Sequence, residues 1–419
     1  MRRAYTGHMG PVRALPLRIA ILAAAVLGAL MALPGCVAPA GDIIAGVRAS
    51  AAHDSFNIAV WELRHASDIV AALNTPPENP DAIDEYFEMT ARLREVTGRA
   101  EWLLANRPAD DPELLEALEQ EETIERDLED IRARATLALR GLTMNTMREA
   151  GLVSDPPVLG DIVFPPVSFV MENLPRVVIV SPRDRITLME SVPLRPDIST
   201  EEIRRLEQAL SDRGLSALVV NIGGMGTYPA LVKATSTREF TVRTILHEWV
   251  HHYLFFHPLG QRYAAGGDMT TINETVANMV AAETGALALD QPPPVFRVPE
   301  PPTETHRDPG VFEFGAYMRE TRVEAERLLA NGLVDEAETY MEERRVHLNE
   351  MHGYAIRKIN QAYFAFHGSY ADSPAGGTVS PIYGQLIEVR NQAGSVAEFL
   401  RTVREIKSPA DLEQLAGAG

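Results

Sequence analysis

The residues best suited to chemistry lie in one helical segment, FTVRTILHEWVHHYLFFH, from Phe240 to His257. Within it His247-Glu248-Trp249-Val250-His251 reads H-E-x-x-H. On a helix, residues four apart lie about 40° apart around the axis and one turn along it, so both imidazoles project toward one point. That geometry suits Zn²⁺, which accepts neutral imidazole at about 2.0–2.1 Å. Glu248 adjoins the first histidine and is not a ligand in this motif. Zinc lowers the pKa of water toward about 7, and the Glu248 carboxylate is placed to take the proton as that water attacks a carbonyl. Ser236 and Glu239 spell a capping box that opens the helix. His252 points to another side and reads as a packing or surface residue.

A catalytic zinc needs a third protein ligand and an open fourth position. The chain has one cysteine, so the ligand must be a histidine or a carboxylate. Two candidates compete. His257 follows His251 at the spacing H-x-x-G-x-x-H requires, but Leu254 stands where the turn glycine would be. If the helix continues, His257 lies about 15 Å along the axis from His247 and off the ligand face. Glu274, in Ile272-Asn273-Glu274-Thr275-Val276-Ala277-Asn278, opens a new helix. The loop before it contains Gly260, Gly266 and Gly267 and can fold that helix back antiparallel to the first. Thr271 and Glu274 also spell a capping box, a purely structural use of the same carboxylate.

The elements that must position these residues read as an α+β chain. From Ser55 to Gly151 apolar residues recur at three- and four-residue steps, and prolines at 76, 77, 80, 108 and 112 divide the stretch into three helices. They read as a bundle or arm without chemistry of its own. After Pro156-Pro157 come β-rich runs at Val177–Val180 and Ile186–Val192, then a helix from Ser199 to Arg213 with a Ser199/Glu202 capping box. Ala217–Ile222 and Tyr228–Ala234 read as strands, with Gly223–Gly226 a flexible turn between them. Gln291–Pro302 is a polyproline-like loop. Helices follow at Val311–Ala330 and Val334–Phe366, and the stretch from Pro381 is mostly helical.

With 39 Lys+Arg against 58 Asp+Glu the net charge is −19, which argues against a nucleic-acid partner. An apolar content of 46% excludes general disorder. Arg2, Arg3, Arg13 and Arg18 precede an apolar run from Ile19 to Leu33, a length that fits a signal-peptide core better than a spanning helix. The run ends in Leu33-Pro34-Gly35-Cys36, which resembles a bacterial lipobox and implies lipidation of Cys36. The other reading is an uncleaved anchor. Both place the rest of the chain on the extracytoplasmic face of a membrane. The expected division is 1–36 signal or anchor, 37–54 tether, 55–155 helical region and 156–419 catalytic region.

Taken in order, the H-E-x-x-H helix, the NETVAN segment and the late INQAYFAFHGSY resemble gluzincin metallopeptidases, in particular bacterial predicted aminopeptidase lipoproteins. The resemblance runs from about residue 217 to the C-terminus. It implies a zincin-like catalytic domain, a small mixed sheet plus active-site helices, behind the helical N-terminal region. It implies Glu274 as third zinc ligand, peptides or proteins as substrate, and a residue four beyond the glutamate, here Asn278, orienting the first histidine. An oxyanion donor is sought among Tyr363, Tyr370 and Tyr383, with Tyr370 preferred. Peptide substrate is expected to add to the edge of the sheet formed by the strands before the helix. Two other functions fit the same motifs: a scaffold that keeps the metal without turnover, and a zinc hydrolase of non-peptide bonds.

Overall fold

The computed structural model describes residues 42–72, 76–77, 79–108, 110–153, 162–297, 312–368 and 381–417. Cys36, Tyr370 and the apolar run before Cys36 lie outside the described residues. The described chain is mixed α+β and mostly helical, with fifteen α-helices and six strands. In order these are α1 (Asp42–Ala51), α2 (Ile58–Arg64), α3 (Ala66–Ala71), α4 (Pro80–Asn106), α5 (Pro112–Glu149), β1 (Phe169–Glu172), β2 (Arg176–Pro182) and β3 (Glu190–Leu194). Then come α6 (Thr200–Ser211), β4 (Leu215–Asn221), β5 (Gly224–Met225), β6 (Ala230–Lys233), α7 (Arg238–Phe255), α8 (Pro258–Gln261) and α9 (Asp268–Ala288). The last are α10 (Phe314–Ala330), α11 (Val334–His352), α12 (Gln361–His367), α13 (Ile382–Gln392), α14 (Val396–Val403) and α15 (Pro409–Ala416).

The strands form two three-stranded sheets. One is antiparallel, in the order β3-β2-β4; the other is mixed, in the order β1-β6-β5, with β1 parallel and β5 antiparallel to β6. In β2 successive side chains alternate faces. Val178 and Val180 pack with Val47 and Ala51 of α1 and Ile203, Leu206 and Leu210 of α6. Val177 and Ile179 meet Met318, Met341 and Phe364 from α10, α11 and α12. The antiparallel sheet is therefore covered by helices on both faces.

The mixed sheet lies in the larger core. Phe169 and Met171 of β1 and Val232 of β6 pack with Leu139 and Met147 of α5, Leu246 and Trp249 of α7, Val276 of α9, Leu386 of α13 and Phe399 of α14. The long helices α4 and α5 are part of this core. Tyr86 of α4 donates to the Ala234 carbonyl at 2.7 Å, and Asp84 pairs with Arg238 at 2.6 Å, so α4 braces the entry to α7.

Several expected boundaries move. The tether expected over 37–54 is helical from Asp42, because Val47 and Ala51 have an apolar partner surface. The first of the three expected N-terminal helices is two short ones, α2 and α3, which break at His65. The long helix expected to reach Phe366 stops at Gly353, whose φ of 70° ends α11 in a left-handed cap. The Ser199/Glu202 capping box is present in full.

Candidate metal centre and catalytic cleft

Helix α7 is capped by Thr237, whose hydroxyl accepts from the Phe240 N–H; the expected Ser236/Glu239 box is displaced by one residue. Val242, Ile245, Leu246, Trp249, Val250 and Leu254 are buried along it. The Trp249 indole donates to the Pro165 carbonyl at 2.8 Å and fixes the rotation of the helix. His247 and His251 sit one turn apart with their Nε2 atoms 2.9 Å from each other.

The chain turns back through α8 and a 3₁₀ turn at Tyr263–Ala265, then through Gly266 and Gly267, both at positive φ (74° and 57°) where a side chain would be strained. Helix α9 then runs antiparallel to α7. Asn273 meets His251, Glu274 lies between the two histidines, and Gly285 packs on Arg243. Because α9 starts at Asp268 with Gly267 as its N-cap, Thr271 and Glu274 are interior residues and form no capping box.

Three donor atoms converge here: one each from His247, His251 and Glu274, all within 4.8 Å of one another. Glu274 Oε2 is 3.4 Å from His247 Nε2 and 3.5 Å from His251 Nε2. Those separations are long for hydrogen bonds, and this buried oxygen has no hydrogen-bond partner. Ligands held at about 2.0–2.1 Å around a tetrahedral ion lie about 3.3–3.4 Å apart; the two carboxylate–imidazole separations are near that spacing, and the two imidazole nitrogens, at 2.9 Å, stand closer. The electrostatics fit as well. Burial alone would lower the His251 pKa, but the Glu274 carboxylate outweighs it and pushes it up to about 9. Burial acts on Glu274 in the opposite sense, and the charge and contacts of the two histidines hold it well below the usual carboxylate range.

The ligands are themselves held. Asn273 Oδ1 lies 2.8 Å from His251 Nδ1, so Nδ1–H donates and Nε2 keeps its lone pair for the centre. The Tyr263 hydroxyl donates to Glu274 Oε1 at 2.6 Å, leaving Oε2 to face the histidines. Neither partner was singled out from sequence. Asn273 is the neighbour of a residue that was, and Tyr263 sits in a loop read only for its glycines. Asn278, expected to orient His247, lines the cleft beside His247 and Glu248. Replacing Asn273 by Leu should weaken zinc affinity about 10- to 100-fold while the fold is retained, as measured by competition with a chromophoric chelator.

Glu248 is buried between α7 and the edge strand β5. A Cβ on Gly224 would stand 2.5 Å from Glu248 Oε1 and 2.6 Å from Thr244 Cγ2; one on Gly226 would stand 3.4 Å from Glu248 Oε2. The glycines expected to make a flexible turn are thus a close-packed wall, and two of their residues pair with β6 as a strand. Burial raises the Glu248 carboxyl above its usual range, against the pull of His247 and His251. The wall is pinned from below. His252, kept neutral because burial lowers it to about 4, donates from Nε2 to the Thr227 carbonyl at 2.7 Å. His252 is therefore a buried packing residue.

A cleft of about 560 Å³ opens beside the three converging residues and Glu248. A second lobe of about 520 Å³, reaching Arg243 and Asn278, shares Gly224, His247, Glu248 and Phe366 with it. The other candidates lie elsewhere. Helix α7 ends at Phe255, and His257, the residue before Pro258, packs at a tilt against Tyr253, outside the converging group. Tyr363 is buried under the antiparallel sheet and Tyr383 in the larger core. Compared with family models, with curated proteins and with solved structures, the chain matches none.

Proposed function

We propose that the protein is a zinc-dependent peptidase of gluzincin type, with His247, His251 and Glu274 as the metal ligands. The observation that carries this reading is the meeting of those three side chains from α7 and α9 beside a buried Glu248. A zincin-like domain is supported by a mixed sheet whose antiparallel edge strand lies over the H-E-x-x-H helix. Zn²⁺ held there supplies Lewis-acid polarisation of a carbonyl and brings the pKa of water to about 7.

The chain's own residues do the rest. Among the described residues strand β5 pairs with β6 alone, and its other edge is where we place an extended peptide. This differs from the expected docking edge: β4 belongs to the other sheet, and Gly224–Met225 lies next to the catalytic helix. Glu248 Oε1 and Oε2 face that edge, where the carboxylate removes a proton from the attacking water and returns it to the leaving nitrogen. Among the described residues Tyr263, beside His251 and on the cleft wall, offers a phenol next to the centre; Tyr370 lies outside them. No helix among the described residues is long and apolar enough to cross a membrane. Attachment to the membrane is assigned to the segment ending at Cys36, by lipid or anchor.

The purified chain should carry one zinc per molecule by elemental analysis and cleave peptides in an unbiased library. A chelator should stop cleavage and added zinc restore it. Protein that neither holds nor takes up zinc ends this reading. Ester hydrolysis in place of peptide cleavage would move the assignment to a non-peptide substrate.

A further inference from the structure

The α2 helix brings one side chain with unspent charge to the catalytic cleft. Glu62 is buried, with 8% of its surface exposed, yet it lines the same cleft as His247, Glu248, His251 and Glu274. Its Oε1 accepts the Tyr228 N–H at 3.0 Å. Its carboxylate forms no other hydrogen bond and no ion pair among the described residues. A carboxylate withdrawn from water normally has a cation or several donors to compensate it. Here one backbone N–H does so, and burial leaves the group above its usual pKa range.

Its location ties it to the site. Tyr228 is two residues beyond Gly226, and two residues span at most about 7 Å. Gly226 is itself in contact with the site, since a Cβ built on it would stand 3.8 Å from His251 Cβ and 3.4 Å from Glu248 Oε2. Glu62 therefore stands beyond the Gly226 end of β5, no more than about 14 Å from the base, a span of about four extended residues. The neighbouring cleft wall is apolar, with Ile58, Val177, Ile179 and Leu188. Such a wall lowers the local dielectric and strengthens attraction for a cation that displaces water. Two contacts hold the helix in place: the Trp61 indole donates to Glu172 at 3.2 Å, and the Phe56 N–H donates to the Pro193 carbonyl at 2.9 Å.

We propose that Glu62 receives a cationic group of the substrate, an ammonium or guanidinium, and so selects which peptides align along β5. This rests on the peptidase reading for its purpose but not for its test. A peptide can present such a cation as its free N-terminal amine or as a Lys or Arg side chain. Both are recognised by the same carboxylate.

Binding is measured on zinc-loaded, full-length Glu248→Gln protein at 0.15 M salt, where the general negative charge is screened. Three probes are used: a tetra-alanine amide with a free N-terminus, its N-acetyl form, and the N-acetyl form with one internal lysine. One of the two cationic probes should bind about tenfold to a hundredfold more tightly than the neutral one. Which of them does so identifies the source of the charge. Adding Glu62→Gln, which keeps an acceptor for Tyr228 N–H, should erase that preference and leave neutral-probe binding and zinc content unchanged. Glu62→Asp, which keeps the charge but withdraws it by one methylene, should give an intermediate preference. Equal affinity for charged and neutral probes overturns the proposal, as does an equal loss for both in Glu62→Gln. If the preference is present but wild-type protein cleaves nothing, the peptidase reading fails and the cation site stands.

Discussion

Glu248→Gln should lose peptide hydrolysis by about 10²- to 10⁴-fold in kcat and still carry one zinc per chain. The separation of the two readouts follows from the site's layout. Glu248 is outside the group of three converging ligands, so its amide removes a proton acceptor and no metal bond. The replacement is nearly isosteric, and space matters here because Gly224 and Gly226 pack directly on the carboxylate. Glutamine also removes a charge that burial disfavours, so the metal-free protein should melt at the same temperature or slightly higher. KM should change little, because the proposed docking of substrate along β5 does not involve this carboxylate's charge. Cleavage at the wild-type rate in this variant would refute the assigned base.

Glu274→Gln should act on the metal first and on activity as a consequence. The substitution removes the anionic member of a three-ligand set, and elemental analysis after dialysis should find well under 0.1 zinc per chain. The variant also leaves Tyr263 O–H and both imidazoles facing a neutral amide. Metal bound only by the folded state adds about 4 kcal/mol of stability at a thousandfold excess over Kd. For a chain of this size that corresponds to roughly 5 °C in melting temperature. Wild-type protein should therefore lose that increment on chelation, and Glu274→Gln should show no such difference. Full zinc occupancy in Glu274→Gln would return the third-ligand role to another residue.

Much of this arrangement was legible in the chain itself. The H-E-x-x-H spacing fixes two imidazoles on one helix face wherever the helix forms. Leu254 in place of a glycine argues against His257 as a ligand, and His257 lies two residues past the end of α7, extended and outside the converging group. What escaped reading depends on contacts between distant segments. Glu62 belongs to a region that carries no motif, and only packing brings it to the cleft. Gly224–Met225 is too short and too glycine-rich to show a strand's alternation; its glycines answer to the close approach of Glu248 and Thr244. Asn273 adjoins a recognised residue, but its bond to His251 follows from how α9 is rotated against α7. The helical start at Asp42 was masked by small residues whose burial depends on α6 and β3.

The joint core of α4, α5, α7 and α9 sets the smallest piece of this chain that can stand alone. A fragment starting at the proline pair 156–157 would bare the faces that Leu139, Met144 and Met147 cover, and would lose the Tyr86 hydrogen bond to Ala234 ahead of the catalytic helix. It would also lack Glu62. The amino-terminal helices are thus part of the framework of the candidate site, and a truncation meant to isolate the half that carries it would remove the scaffold on which that half is built.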